Sequence, residues 1–152
     1  MALTKLNNAS ISSVTNAGLP VLDFTNLPAD SVIQVKHHAH TPTTTSTSSG
    51  TWVATGSTLS FTPKHASSDL YIQIQISAEI SGATNTGVGY RLQKDGSTVY
   101  DNDYALYHSG SNDQRIDQFP ITHYEAASNT NARTYTIDFR LRGGGQTRHN
   151  IY

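Results

Sequence analysis

Three histidines within four positions, in the stretch HHAH at residues 37–40, are the first side chains of this sequence that suggest metal chemistry. Imidazole nitrogens bind zinc, but a stable site needs three or four ligands and neighbouring groups that hold each ring. Side chains alternate between the two faces of an extended chain, so only His38 and His40 share one face. No third ligand is evident in the sequence. We therefore interpret these histidines as exposed or interface residues, keep His38 and His40 as the alternative for a metal, and expect no cofactor.

A second group of side chains combines tyrosines with acidic residues in the stretch YDNDYALYHSGSNDQ, residues 100–114. Tyr104 and Tyr107 could stack on pyranose rings, while Asp101 and Asp103 accept hydrogen bonds from sugar hydroxyls. The same stretch lacks the glycine and terminal glutamate spacing of an EF-hand calcium loop. We interpret it as a solvated loop, with a glycan-binding site on these four residues as the alternative.

The sequence lacks several common catalytic motifs. It contains no G-x-S-x-G, H-E-x-x-H or Gly-Lys-Ser/Thr pattern, and no cysteine that could act as a nucleophile, bind zinc or form a disulfide. Acidic residues are scattered, and one sequence cannot establish the separation that a glycosidase pair needs. We expect no enzyme activity and assign no catalytic residue.

Charge and composition limit the classes of partner that we expect for this chain. Ten Lys and Arg residues against eleven Asp and Glu residues leave a net charge of -1, which offers no basic surface for nucleic acid or an anionic membrane. Charged residues make up 14% of the chain, and Ser, Thr, Asn and Tyr take their place, as is typical of β-rich extracellular or virion proteins. No apolar stretch has the length of a signal peptide core or a membrane span. We expect a soluble, unprocessed chain.

Apolar residues alternate with polar ones over much of the sequence, and this period of two predicts strands with one buried face. The clearest cases are DLYIQIQISAEIS at residues 69–81 and ARTYTIDFRLR at residues 132–142. Between them, Asp95-Gly96 in RLQKDGSTVY predicts a two-residue hairpin turn, because both positions of a type I′ turn need positive φ. We expect the residues before this turn to face the core at Val88, Tyr90 and Leu92.

Shorter runs raise the predicted number of strands to about nine, at the spacing of a β-sandwich. They lie at residues 31–39, 51–55, 58–63, 115–124 and 146–152. The first run should place Ile33, Val35, His37 and Ala39 on its inner face. Pro120 cannot donate to a ladder, so its strand should lie at a sheet edge or carry a bulge. The Thr/Ser-rich residues 41–50 are interpreted as a loop or an irregular edge strand.

Residues 1–28 differ from the rest of the chain in being rich in Asn, Ser, Thr and Ala, with little alternation. Such a segment cannot bury a core by itself. We interpret it as an extended N-terminal arm that becomes ordered against a partner, followed by a single β-sandwich domain over residues 29–152. The apolar residues that would anchor the arm to its partner are Leu3, Leu6, Ile11, Val14 and Leu19.

The order of motifs along the chain resembles a family of small structural proteins and fibre-tip domains of tailed phages, especially those of cyanobacteria and other aquatic bacteria. The motifs are LTKLNNASISSVTNAGLP, LPADSVIQV, TPTTTSTSSGTWVATG, LSFTPKHASSDLYIQIQIS, YRLQKDGSTVY and ITHYEAASNTNARTYTIDFRL. Together they span nearly the whole chain. The resemblance implies an antiparallel, jelly-roll-like β-sandwich that assembles as a homotrimer on the virion exterior and has no enzyme activity.

Two functions agree with this resemblance. A short chain with an arm and a compact head suits a capsid decoration, or cement, protein, whose arm contacts the major capsid protein while three heads pack around a threefold axis. The alternative is a tail-fibre or receptor-binding head, an adhesin that recognises a glycan on the host surface. Both readings locate the protein on the virion, at the capsid exterior or the tail.

Overall fold

The computed structural model describes residues 27, 31–40, 45–47, 50–81, 85–109, 115–143 and 146–149. The chain divides into two units, Met1–Val35 and Lys36–Tyr152, and every described strand belongs to the second unit. The predicted arm anchors lie outside the described residues, namely Leu3, Leu6, Ile11, Val14 and Leu19. The predicted end of the arm at residue 28 therefore stays a prediction.

Eight antiparallel strands make up the described secondary structure, and no helix occurs in the described ranges. The strands are β1 (Thr45–Thr47), β2 (Val53–Phe61), β3 (Asp69–Ser81), β4 (Thr86–Lys94), β5 (Ser97–His108), β6 (Arg115–Ala126), β7 (Arg133–Arg142) and β8 (Gln146–His149). They form two four-stranded sheets, which we call sheet A, of order β1-β8-β3-β6, and sheet B, of order β2-β7-β4-β5. The expected all-β, antiparallel fold is confirmed for these residues.

Strand pairing follows one simple scheme along the chain. β1 pairs with β8, β2 with β7, β3 with β6 and β4 with β5, all antiparallel. This is the pairing expected if one long hairpin, with its turn at Asp95-Gly96, were rolled into two sheets. The turn itself has φ values of 50° at Asp95 and 81° at Gly96, as a type I′ turn requires. Its backbone is held to β7, since Asp95 N donates to Thr134 O at 2.8 Å.

The inner faces of the two sheets share one hydrophobic core. Tyr90 of sheet B is fully buried, and its ring centroid lies 5.1 Å from that of Phe119 in sheet A and 6.3 Å from that of Phe139. Burial raises the pKa of Tyr90. The other buried members of the cluster are Ile76, Ala78, Ile80, Val88, Leu92, Ile121, Tyr135 and Ile137. The inner faces predicted from alternation in β3, β4 and β7 are thus confirmed, with Ile72 and Ile74 only partly buried at the margin.

Pro120 and the Thr/Ser-rich stretch lie where the sequence predicts. Pro120 belongs to β6, which is an edge strand of sheet A, and β1 forms the opposite edge from three residues of the stretch 41–50. The two short runs predicted at 51–55 and 58–63 are a single strand, β2. Its register shifts between Ala54 and Thr58, where Gly56 has a φ of 83° and Thr55 Oγ1 donates to Ile137 O at 2.8 Å.

The strand predicted at residues 31–39 is wrong, because the described residues 31–40 contain no strand. Val35 is 83% exposed rather than turned toward a core, and His37 and Ala39 are exposed as well. Alternation describes only which side chains would share a face. A strand also needs a neighbouring backbone to pair with. The side chains from Lys36 to His38 are polar, so their burial would not stabilise a strand.

Candidate functional site

Tyr104 and Tyr107 lie on β5, the edge strand of sheet B, so the prediction of a loop at residues 100–108 is wrong. They are three positions apart, yet they are 57% and 47% exposed on the same surface. A regular strand would place residues three apart on opposite faces. Asn and Asp residues around them made the stretch resemble a loop, because these types favour turns in isolation.

A bulge in β5 explains why the two tyrosines share a surface. Val88 pairs with Leu106 and Tyr90 pairs with Asn102, so one residue of β4, Gly89, faces three residues of β5. The extra residues change the direction of the β5 side chains, as bulges at sheet edges commonly do. Leu106 packs against the core beside the exposed tyrosines. The bulge therefore brings the Tyr104 ring to the outer face, where Tyr107 lies opposite Gly87 in regular register, without removing β5 from the sheet.

The two tyrosine rings are held over a glycine. Their centroids are 5.8 Å apart and their planes meet at 76°, which is the edge-to-face geometry that aromatic pairs favour. A Cβ atom at Gly87 would lie 3.3 Å from Tyr104 Cδ1 and from Tyr107 Cδ2, and 2.9 Å from Leu106 O. The Tyr107 hydroxyl donates to Asn85 Oδ1 at 3.0 Å. Both rings are thus positioned by contacts within the protein.

Asp103 joins the tyrosine pair to two arginines of β7. Its Oδ1 accepts a hydrogen bond from Arg140 Nη2, and its Oδ2 accepts one from Arg142 Nη2 at 2.5 Å. The hydrogen bond from Arg140 and the charges of both guanidinium groups hold the pKa of Asp103 below its usual value. The guanidinium carbon of Arg142 also lies 5.4 Å from the centroid of the Tyr104 ring. A cation and an aromatic face therefore meet beside a fixed carboxylate.

Trp52 extends this arrangement across the sheet. The guanidinium carbons of Arg140 and Arg91 lie 4.2 Å and 4.9 Å from the centroid of its ring. Arg91 in turn donates to Asp138 Oδ2 from Nε at 2.8 Å and from Nη2 at 2.6 Å. We call this set the outer cluster, which comprises Trp52, Arg91, Asp103, Tyr104, Tyr107, Asp138, Arg140 and Arg142. It is a continuous surface of stacked rings and ion pairs on the outside of sheet B.

The sequence identified part of this cluster and missed the rest. Of the four residues proposed for glycan binding, the structure brings Asp103, Tyr104 and Tyr107 together. Asp101 is exposed on β5 opposite Arg91 and makes no hydrogen bond to the cluster within the described ranges. Arg140 and Arg142 were not foreseen, although their alternation in β7 already assigned them to one outer face. Trp52 carried no local signal at all.

His38 and His40 do not assemble a metal site in the described residues. Their ring centroids are 6.2 Å apart, at an angle of 34°. The His40 ring lies near Gly56 of β2, since a Cβ atom there would be 3.7 Å from its Cε1. No group of three or more His, Asp or Glu side chains that could hold a metal occurs among the residues described. The metal alternative gains no support from this geometry.

Glu125 of β6 is the centre of a second polar cluster, which joins the two sheets. It accepts hydrogen bonds from Lys94 Nζ at 2.6 Å, from the Tyr135 hydroxyl at 2.5 Å and from Arg133 Nη1 at 3.4 Å. Burial alone would raise the pKa of Glu125, but these hydrogen bonds and the Lys94 charge outweigh it and lower the pKa. His123 Nε2 lies 3.7 Å from the same carboxylate. We call this cluster the intersheet tie, because it links Glu125 of sheet A to Lys94, Arg133 and Tyr135 of sheet B.

A shallow polar depression of about 290 Å³ adjoins this tie and is lined by Lys94, Asn129 and Arg133, among others. The Arg133 Nη2 atom donates to Ala127 O at 2.8 Å and to Asn129 O at 3.2 Å, so the guanidinium is engaged by its own loop. These contacts organise the connection between β6 and β7. Because Arg133 already makes these hydrogen bonds within the protein, the outer cluster is the better candidate for binding a ligand.

Within the described ranges, no helix has the length and apolar character needed to cross a membrane. No family model, no curated protein and no solved structure matches this chain.

Proposed function

We propose that this chain is a structural protein of a phage virion exterior, a jelly-roll β-sandwich that decorates the capsid as a homotrimer. The observation that carries the proposal is the strand pairing, first with last, second with seventh, third with sixth and fourth with fifth, over sheets of order β1-β8-β3-β6 and β2-β7-β4-β5. Double-sheet jelly rolls of eight strands are the architecture of viral capsid and lectin domains. The order of sequence motifs, which resembles phage structural proteins, supports the same assignment.

The outer face of sheet A supports a role in assembly. On this face, Tyr71 of β3 lies opposite Tyr124 of β6 in register, and the two are 66% and 63% exposed. Beyond this pair, the next side chains of β3 and β6 on the same face are uncharged. They are Gln73, Gln75, Ser77, Ile116, Gln118, Pro120 and Thr122. Two acidic residues of β3 lie on the same face: Glu79, which is only 2% exposed, and Asp69, which is exposed at the start of the strand and whose hydrogen bond raises the pKa of Tyr124.

A face whose central side chains are uncharged suits contact with another protein subunit. Charged groups are depleted at the centre of protein interfaces, because each must otherwise be desolvated on association. Tyrosine is among the residues enriched there. In the proposed trimer, this face packs against a neighbouring copy, and the N-terminal residues Leu3, Leu6, Ile11, Val14 and Leu19 bind the major capsid protein. Sheet B then faces the solvent with its outer cluster.

We propose no catalytic role for the chain. Three of the described acidic residues are engaged by cations: Asp138 by Arg91, Asp103 by Arg140 and Arg142, and Glu125 by Lys94. The pKa of Asp103 and the pKa of Glu125 are lowered by these partners, which opposes a role as a general acid near neutral pH. Such pairs support a structural function for these side chains.

A receptor-binding head that recognises a host-surface glycan is the second candidate. The observation that favours it is the exposed, edge-to-face pair of Tyr104 and Tyr107 beside Asp103. Aromatic faces with adjacent fixed polar groups are the usual means by which proteins hold sugars.

Co-sedimentation with capsids of the phage that encodes the chain tests the first proposal. The full chain should pellet with capsids and the variant that lacks residues 2–28 should not, while light scattering should give a trimeric mass for both. The truncated chain serves as its own folding control through its circular dichroism spectrum. Normal decoration by the truncated chain would refute the role of the arm, and a monomeric mass for the full chain would refute the trimer.

A further inference from the structure

We propose that Tyr104, Tyr107 and Arg142 form a subsite for an acidic saccharide, a pyranose ring that carries a carboxylate or sulfate group. This inference rests on the second candidate function, the receptor-binding head, and names the ligand class of its site. The sugar ring lies against the two tyrosines, and its anionic group pairs with the guanidinium group of Arg142.

The tyrosine pair is ordered before any ligand arrives. The Tyr107 hydroxyl is held by Asn85 Oδ1 at 3.0 Å, the Tyr104 ring is covered on one side by Arg142 at 5.4 Å, and both rings rest over Gly87. Ordering an exposed side chain on binding opposes association, so rings that are already fixed bind more tightly than free ones. Two exposed tyrosines held this way form a preformed platform for a flat, weakly apolar ring face.

The backbone departs from regular strand geometry where it forms this platform. Gly89 of β4 faces three residues of β5, and a Cβ atom at Gly89 would lie 3.0 Å from Asp103 O. Bulges near sheet edges redirect side chains, frequently next to binding or active sites. In this case the redirected residues are Asp103 and Tyr104, which stand beside Tyr107. The irregularity thus produces the surface on which the proposed ligand lies.

The charge around the platform favours an anion. Asp103 accepts one hydrogen bond from each of two arginines, Arg140 and Arg142, so two guanidinium charges meet one carboxylate and one positive charge remains. The neighbouring pair of Arg91 and Asp138 is neutral, and Asp101 lies opposite Arg91 rather than beside the tyrosines. The end of the outer cluster that carries the tyrosines is therefore the positive end.

Arg142 is the guanidinium available to the ligand. Its side chain is 32% exposed, against 19% for Arg140, which is stacked on Trp52 at 4.2 Å. Among the described residues, only Nη2 of Arg142 donates to an acceptor, which is Asp103 Oδ2. The Nη1 amino group can then donate to a carboxylate or sulfate oxygen, and charge-assisted hydrogen bonds of this type are the strong ones. Arg140 and Asp103 act as positioning residues for Arg142.

Titration of the full chain with matched trisaccharides tests the proposal. The probes are tri-galacturonate, its fully methyl-esterified form, in which the same rings are neutral, and a sulfated galactose trisaccharide. We expect the per-chain affinity measured by calorimetry to be at least about tenfold higher for one of the acidic probes than for the neutral ester, and to fall as salt is added. The comparison of the two acidic probes distinguishes a carboxylate from a sulfate ligand.

Variants assign the binding to these residues. Arg142→Gln should reduce the affinity for the acidic probe about tenfold, Arg142→Lys should retain part of it, and Tyr104→Ala should abolish it. Arg115→Gln is the matched control for Arg142→Gln, because it removes an exposed arginine that also pairs with a carboxylate, on sheet A, and should leave the affinity for the acidic probe unchanged. Unaltered melting curves exclude misfolding as the cause.

Three results would overturn the proposal in distinguishable ways. Equal affinity for the ester and the acid would refute the acidic ligand while leaving a glycan-binding head. An equal effect of Arg115→Gln and Arg142→Gln would refute the location of the site. Failure of every probe to bind the intact chain would refute both the subsite and the receptor-binding function, whereas the decoration function is judged separately by capsid co-sedimentation.

Discussion

Lys94 Nζ of β4 donates to Glu125 Oε2 of β6 across a distance of 2.6 Å, and this pair ties sheet B to sheet A. The carboxylate is 13% exposed and also serves Arg133, whose side chain is 6% exposed. A cation so far from water depends on its partner, because the protein interior stabilises an unpaired charge poorly. Glu125 therefore contributes more to stability than the surface pairs do.

Replacing Glu125 tests this tie directly. Glu125→Gln keeps the size of the side chain but leaves Lys94 and Arg133 without a countercharge, so we expect a loss of about 2–4 kcal/mol in the free energy of unfolding. Chemical denaturation at pH 7 measures it. Asp117→Asn is the control, since its pair with Arg115 is well exposed and should contribute no more than about 1 kcal/mol. Equal losses in the two variants would contradict the intersheet role.

The stability contributed by Glu125 should disappear in acid. Its folded pKa lies below its ordinary value of 4.5, so the unfolded chain binds the proton more readily than the folded one. The contribution is complete above the unfolded pKa and declines as the pH falls from there toward the folded pKa. The difference in unfolding free energy between the natural chain and Glu125→Gln should therefore shrink below about pH 4.5. A difference that stays constant from pH 7 to pH 3 would contradict this linkage.

A methyl group at position 87 should disturb the tyrosine pair. In Gly87→Ala, the new Cβ atom would lie 2.9 Å from Leu106 O, which belongs to the backbone and cannot move without shifting β5. We expect a destabilisation of about 1–3 kcal/mol, together with a changed near-ultraviolet circular dichroism signal from the displaced rings. Gly50→Ala is the matched control, because the nearest described atom to its Cβ would be Leu141 O at 3.9 Å. A Gly87→Ala chain with unchanged stability and spectrum would show that β5 does not need this glycine.

Charges placed on the outer face of sheet A should dissociate the proposed trimer. The double variant Tyr71→Glu with Tyr124→Glu adds two carboxylates to this face beside the exposed Asp69, whose hydrogen bond raises the pKa of Tyr124. If this face packs against a neighbouring copy, the carboxylates must be desolvated there and the trimer should give way to monomers in analytical ultracentrifugation. The same pair of changes at Tyr104 and Tyr107 on sheet B should leave the mass unchanged. A trimeric double variant would move the contact to another face.

Local patterns predicted a large part of the fold. β3 and β7 follow from alternation within their own residues, and the hairpin follows from Asp95-Gly96, because positive φ at both positions is a property of that dipeptide. Pro120 marked an edge strand for an equally local reason, the missing backbone donor. Each of these predictions needed information from only a few neighbouring residues.

The candidate site required information that no short stretch contains. Asp103 meets Arg140 and Arg142 across 37 and 39 positions, and Trp52 reaches Arg91 of β4 from the position just before β2. The sequence of β5 resembles a loop, but its backbone pairs with β4 and forms a strand. Residues 31–40 show the alternation of a strand, yet they form none.

By itself, then, the sequence determined the all-β character of the described residues, the strands β3 and β7, the turn at Asp95-Gly96 and the inner face of the core. Only the tertiary structure decided which strands are neighbours, that Tyr104 and Tyr107 share a surface, and which cations accompany Asp103. The physical reason is that side-chain alternation and turn conformation depend on adjacent residues, whereas strand pairing and ion pairing depend on backbone and charge brought together from distant parts of the chain.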